Sequence, residues 1–342
     1  MFASFIPVRG SWAAFIGFVI ATVGLAATGP RAAGGVIVDH PVGAVDLRYD
    51  RYVSGFPAAP VVNTSGTFVG TGLDLSGIGW FTSGGTNFQV AMVSERHFIA
   101  ATHSPPGPGT ILNFFDPVGN VVRNYTVQST NRPAFTQINP SIALPADVTL
   151  GLLTAPIPVA DRITSYPIAS GPESSFVNFP TLHYGQNPAR YGAGNQIHIG
   201  RNNVQTIGTV SFDGPTPVDD ATRSFAFDWT PANPGEIYLV GGDSGGPSFI
   251  VLGGRPVLLG THMGVSVVTE TPNPGDQSID TFLPYYISQL NAFMAQDIDG
   301  SHPNGYSLAV QPVPEPGTLA LTGVVAAGAW WWRLRRRRGA AR

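Results

Sequence analysis

The chain has 342 residues with 42 Gly, 31 Pro and 43% apolar residues, enough for one large or two modest domains around a sizeable core, and its short apolar runs punctuated by glycine and proline suit a β-rich fold. It contains no cysteine, which excludes a disulfide framework, a thiolate metal site and a cysteine nucleophile. All 18 basic residues are arginine, and between residues 34 and 313 ten of them face 20 acids, a balance of about −10 that offers nucleic acid no electrostatic footing.

The N-terminus carries Arg9, an apolar run from Trp12 to Ala27 and a small-residue exit, Leu25-Ala26-Ala27. A positive start, an apolar middle and a small-residue end predict a secretory signal peptide over residues 1–27; an uncleaved anchor is the alternative. Residues 34–300 then alternate short β-branched and aromatic runs with turn residues. Thr67–Leu75, Phe88–Val93, Phe98–Ala101 and Val148–Leu153 are predicted strands, followed by Ile197–Ile199, Phe225–Trp229, Ser248–Leu252 and Val257–Thr261. Pro156, Pro158, Pro167, Pro172 and Pro180 cluster between the two sets, placing a boundary there. The predicted domains are residues 34–165 and 166–300.

One segment has helical spacing: Phe282–Met294, with Tyr286, Leu290 and Phe293 on one face. Asp280 or Thr281 is placed to cap it and Pro284 suits its first turn. Many strands with one C-terminal helix predict an all-β fold of two packed antiparallel barrels. Residues 301–313 form a predicted linker.

The strongest chemical motif is Gly241-Gly242-Asp243-Ser244-Gly245-Gly246-Pro247, running directly into the strand from Ser248. A serine hydroxyl needs a base beside it and an oxyanion site in front of it. Glycine at 242 lets its own N–H and that of Ser244 point at one oxygen, and the glycines after Ser244 leave room for a substrate carbonyl. A short Asp-Ser-Gly alone would be a surface turn.

Three segments together resemble the chymotrypsin/trypsin-like serine peptidases. Gly-Asp-Ser-Gly-Gly-Pro at 242–247 resembles their nucleophile motif. Phe98-Ile99-Ala100-Ala101-Thr102-His103 resembles the apolar strand that runs into the general base, and Asp147-Val148-Thr149-Leu150 resembles the segment bearing the orienting carboxylate. Gly70-Thr71-Gly72-Leu73 resembles the early strand entering the first barrel. The resemblance implies a chymotrypsin-like fold, protein or peptide substrates, and a triad of His103, Asp147 and Ser244 with Gly242 and Ser244 as oxyanion donors. The order His, Asp, Ser separates this solution from other serine hydrolases, which arrange the same residues differently. His97 rivals His103 but precedes the apolar strand; Asp116 and Asp161 rival Asp147, the first preceding Pro117 and the second lacking an apolar run after it.

Further along, Gly260-Thr261-His262 is similar to a pattern in glutamyl endopeptidases and viral chymotrypsin-like cysteine peptidases, where the histidine contacts Glu or Gln at P1. His262 is therefore either a substrate-binding residue or a satisfied core histidine. Tyr238, a second residue expected to bind substrate, stands where an enzyme specific for basic residues would carry an acid, which disfavours Arg/Lys preference. The family's strand serine near the aspartate is replaced by about Met263. The N-terminal Ile-Val-Gly-Gly is absent, Gly34-Gly35-Val36-Ile37-Val38 being a faint echo, so Asp243 needs another partner. The alternatives are a catalytically inactive binding or adhesion module on this fold and an esterase. The chemistry requires no cofactor. His183 and His198 stand isolated in the sequence, without a metalloprotease helix motif, while acids such as Asp219 and Asp220 leave a structural calcium open.

The C-terminus reads Val313-Pro314-Glu315-Pro316, an apolar run from Gly317 to Trp332, then Arg333-Leu334-Arg335-Arg336-Arg337-Arg338. Sixteen apolar residues are short of the ~20 that span a bilayer, and the tryptophans suit an interface with the arginines on the cytoplasmic side. Residues 314–342 resemble the PEP-CTERM sorting signal of Gram-negative-type bacteria. That implies export, transient membrane retention and processing by an exosortase-type enzyme; a plain C-terminal anchor is the alternative. Both place the body outside the cytoplasm, in the envelope or at the cell surface.

Overall fold

A computed structural model describes residues 2–6, 19–20, 36–38, 40, 45–130, 136–139, 142–186, 197–213, 220–266 and 273–314. Most of the expected signal peptide and residues 315–342, with the expected sorting and membrane segment, lie outside these. Among the described residues no helix is long and apolar enough to cross a membrane.

Six strands close the first barrel: β1 (Ile78–Ser83), β2 (Thr86–Met92), β3 (His97–Ala100), β4 (Ile111–Asp116), β5 (Val121–Ser129) and β6 (Thr149–Leu153), in the order β5-β6-β3-β2-β1-β4. Closure leaves none of these strands with an unpaired edge. Thr67–Leu75 is not a strand. Phe68, Thr71 and Leu73 each donate their N–H to the carbonyl three residues back, at Ser65, Phe68 and Gly70, and Gly72 has φ +79°. The segment is a succession of turns, so Gly70–Leu73 does not enter the barrel as an early strand.

The second half is built on β7 (Ile168–Ser170), β8 (Pro180–Gln186), β9 (Ile197–Asn203), β10 (Thr206–Asp213), β11 (Asp220–Asp228), β12 (Pro247–Leu252), β13 (Arg255–Val265) and β14 (Gln277–Phe282). The order is β9-β8-β12-β13-β14-β11-β10, with Phe2–Ile6 antiparallel to β10 and Val19–Ile20 paired beyond it. Of the two packed barrels expected, only the first closes among the described residues. No ladder joins β9 to β10, because the two residues between them bond elsewhere: Val204 N–H to Phe179 O and Gln205 N–H to Ala226 O.

The predicted helix begins later than its spacing suggested. The chain stays extended through Phe282, makes a 3-10 turn over Leu283–Tyr286, and is α-helical over Ile287–Met294 (α1). Asp280 and Thr281 do not cap it; both are buried in β14, Asp280 bonded across the sheet to His262 and Thr281 donating to the Asp147 carbonyl of the first half. The stretch expected as a linker is packed. Tyr306 and Leu308 are buried in the core, Tyr306 N–H donates to Met294 O, and β15 (Val310–Pro312) runs parallel to β7. The largest core cluster draws Trp80, Ile99 and Leu150 from the first half, Ile199, Phe249 and Leu258 from the second, and Leu290 from α1. The two halves therefore bury apolar surface against each other, the dominant stabilising term in folding.

Candidate active site

β3 and β6 are antiparallel neighbours, with Ala100 opposite Thr149. The exit of one and the entry of the other therefore lie at the same end of the barrel, which puts His103 beside Asp147. Asp147 Oδ2 lies 2.8 Å from His103 Nδ1, and Oδ1 accepts the His103 backbone N–H at 3.0 Å. The second half fixes the aspartate from behind. Its N–H donates to Thr222 Oγ1 on β11 and its carbonyl accepts from Thr281 Oγ1 on β14, both at 2.8 Å. No serine stands beside the carboxylate on β13; Met263 is buried there and accepts from Ser224 Oγ.

Ser244 lies on the loop that precedes β12. Its Oγ is 2.7 Å from His103 Nε2. His103 is 42% exposed in its side chain and Asp147 only 6%, so the imidazole meets solvent at one end and a shielded carboxylate at the other. Gly242 has φ +106°, the left-handed region open to glycine. Among the described residues no acceptor takes the backbone N–H of Gly242 or Ser244. The loop is braced by Gly245 N–H to His262 O (3.0 Å) and His262 N–H to Gly246 O (2.8 Å).

The partner of Asp243 is the backbone. Its Oδ1 accepts from Gln186 N–H at 2.8 Å and its Oδ2 from Val240 N–H at 3.0 Å. Burial pushes its pKa up; the charge of His262 and these two N–H groups offset that only in part. Val36–Ile37 do pair antiparallel with Ile237–Tyr238 nearby.

Two expected substrate-binding residues are placed elsewhere. His262 is buried, with Nδ1 2.8 Å from Asp280 Oδ1 and Nε2 2.8 Å from the Tyr184 carbonyl. Both ring nitrogens are engaged inside the protein, leaving none for a P1 side chain; the core-histidine alternative is the one observed. Burial works against its charged form, but the Asp280 carboxylate outweighs this and raises its pKa. Asp280 is correspondingly held well below the carboxylate range, despite burial, by the charge of His262 and hydrogen bonds from His183 and His262. Tyr238 is fully buried, its ring edge-on to Trp229, and so has no surface to offer a substrate.

The rivals of the triad are occupied. His97 is buried between Ser94 Oγ (2.8 Å) and Asp297 (2.9 Å). Asp116 caps the turn at Val118 and Gly119, and Asp161 accepts from Tyr125. Asp219 lies outside the described residues. A groove of about 730 Å³ bordered by Leu73, Leu182, Arg201 and Glu236 shares no lining residue with the site. Sequence reasoning missed the threonine clamps on Asp147, and a cluster of His40, Asp50 and His198; neither has local spacing that could reveal it.

No family model matches the chain, and no curated protein matches it. Among solved structures it is similar to neuropsin, a serine protease expressed in the limbic system of mouse brain, at 15% identity, covering 64% of this chain and 94% of that one, with a TM-score of 0.45. A mutant of human heparin binding protein is 12% identical, with coverages of 66% and 95% and the same TM-score, 0.45. Likeness at this level carries no functional argument.

Proposed function

We propose that the chain is a serine endopeptidase that hydrolyses peptide bonds through an acyl-enzyme. The observation that carries this is the continuous hydrogen-bond path from Ser244 Oγ through the His103 ring to Asp147, at 2.7 and 2.8 Å. Asp147 holds the proton on Nδ1 and so presents Nε2 as the base. His103 takes the Ser244 proton as Oγ attacks the substrate carbonyl carbon. The oxyanion that forms is received by the N–H groups of Gly242 and Ser244; one such donor is worth about 3 kcal/mol of barrier. His103 returns the proton to the leaving amine, and water, deprotonated by the same imidazole, releases the acid.

The sequence of the two ends supports an exported protein, retained at least for a time by a C-terminal PEP-CTERM-like segment and processed by an exosortase-type enzyme. A peptide-library digest tests the activity: cleavage by the wild type that is absent with Ser244→Ala supports it. Ester turnover without any peptide cleavage would make the chain an esterase instead. Mass spectrometry of envelope-associated protein tests the ends, since retention of residues beyond 316 contradicts processing near the Pro-Glu-Pro.

A further inference from the structure

We propose that His40, Asp50 and His198 form a binding site for one transition-metal dication of the zinc type. The three ligands come from separate stretches of chain, each fixed by its backbone. Val38 N–H donates to Glu236 O and His40 N–H to Ile37 O, which sets the end of the first stretch. Asp50 and His198 are directly opposite each other in an antiparallel bridge.

Their donor atoms converge. His40 Nε2 is 3.0 Å and His198 Nδ1 3.6 Å from the same oxygen, Asp50 Oδ1, and all three atoms lie within 4.8 Å of one another. A tetrahedral ion with bonds of about 2.0–2.1 Å sets neighbouring ligand atoms about 3.3 Å apart, between the two measured separations. Both separations lie within about 0.3 Å of that spacing.

The surroundings are those of a built site. All three side chains are fully buried. The second oxygen of Asp50 accepts Asp46 N–H at 2.7 Å, and the Asp50 carbonyl accepts Asn63 Nδ2 at 2.7 Å. Such outer contacts orient a ligating carboxylate. Two imidazoles and one carboxylate favour zinc or cobalt over calcium and magnesium, which take oxygen ligands. The other cluster of this composition, His183, His262 and Asp280, differs. There the Ser248 hydroxyl stands between histidine and carboxylate, bonded to His183 Nδ1 (2.7 Å) and donating to Asp280 Oδ2.

His198 sits opposite Gly185 in the β8–β9 ladder, one residue from the Gln186 N–H that holds Asp243. A metal there would tie the stretch before the first barrel to β9, the neighbour of the strand whose Gln186 N–H holds Asp243.

The test uses the untagged chain, stripped with a chelator and titrated with Zn²⁺, and separately with Co²⁺ as a spectroscopic probe. About one Zn²⁺ per chain should survive desalting, Tm should rise by about 5–10 °C at saturation, and Co²⁺ should give the visible bands of a tetrahedral nitrogen-ligated ion. His40→Gln and His198→Gln should each weaken Zn²⁺ by more than about 100-fold, since losing even an outer-shell partner costs about 10–100-fold. Failure of the wild type to hold Zn²⁺ or Co²⁺, with Tm unmoved, overturns the proposal. So does unchanged affinity in both variants, which would place the ion elsewhere. Should a variant not fold, the wild-type titration and its Co²⁺ spectrum decide alone.

Discussion

The imidazole of His262 and the carboxylate of Asp280 meet at 2.8 Å with neither exposed to solvent, and the same imidazole backs the bend at Gly246. The raised pKa of His262 contributes stability that is complete below its ordinary value of 6.5 and lost as pH climbs through its folded value. The depressed pKa of Asp280 contributes stability present above 3.8 and lost as pH falls through its own folded value. The Tm advantage of wild type over His262→Gln should therefore be largest between these limits and shrink above pH 6.5. Thermal melts across pH check it; a gap that stays constant into the alkaline range contradicts it. Asp280→Asn leaves a buried imidazole without its counter-charge and should cost about 3–5 kcal/mol in denaturant titrations at pH 6.

Substrate selection should not pass through His262. Because both ring nitrogens are engaged within the protein, His262→Gln should lower stability while leaving the P1 profile of a peptide library unaltered. A selective loss of cleavage after Glu or Gln would restore the pocket role suggested by the sequence.

Thr222 and Thr281 link Asp147 to the second half of the molecule. Thr222→Val leaves the Asp147 N–H buried without its acceptor, at a cost of about 1–3 kcal/mol. Because the carboxylate orients His103, kcat should fall by more than KM changes. Equal kinetics in the two proteins would mean that Asp147 keeps its place without the clamp.

At Gly246 a Cβ would stand 2.5 Å from His262 Cδ2, 2.6 Å from the Tyr184 carbonyl oxygen and 2.9 Å from the Asp243 carbonyl oxygen. Two of the three are backbone, which cannot swing aside. Gly246→Ala should destabilise by about 1–3 kcal/mol or more and displace Ser244 from His103, seen as lost activity in the protein that remains folded.

What the sequence made legible was local. His103 and Asp147 sit at the ends of apolar runs that do become β3 and β6, and Ser244 sits in a glycine-rich loop entering β12; strand and turn preferences act within a few residues. What it hid was set by partners far along the chain. Thr67–Leu75 has strand-like residues, but its backbone bonds close on themselves as turns. Asp280 has the type of a helix cap, yet in β14 it faces His262 on β13. Resemblance implies substrate-binding roles for His262 and Tyr238, but both side chains are buried. His40, Asp50 and His198 meet only once the sheet is formed.

The central claim is that Ser244 is a nucleophile activated by His103. Intact-mass analysis after treatment with a fluorophosphonate measures this directly. One adduct per chain, mapped to Ser244, should form on wild type, vanish in Ser244→Ala and slow by about 10⁴-fold or more in His103→Ala. No adduct on folded wild type, or equal labelling of Ser244→Ala, would contradict it.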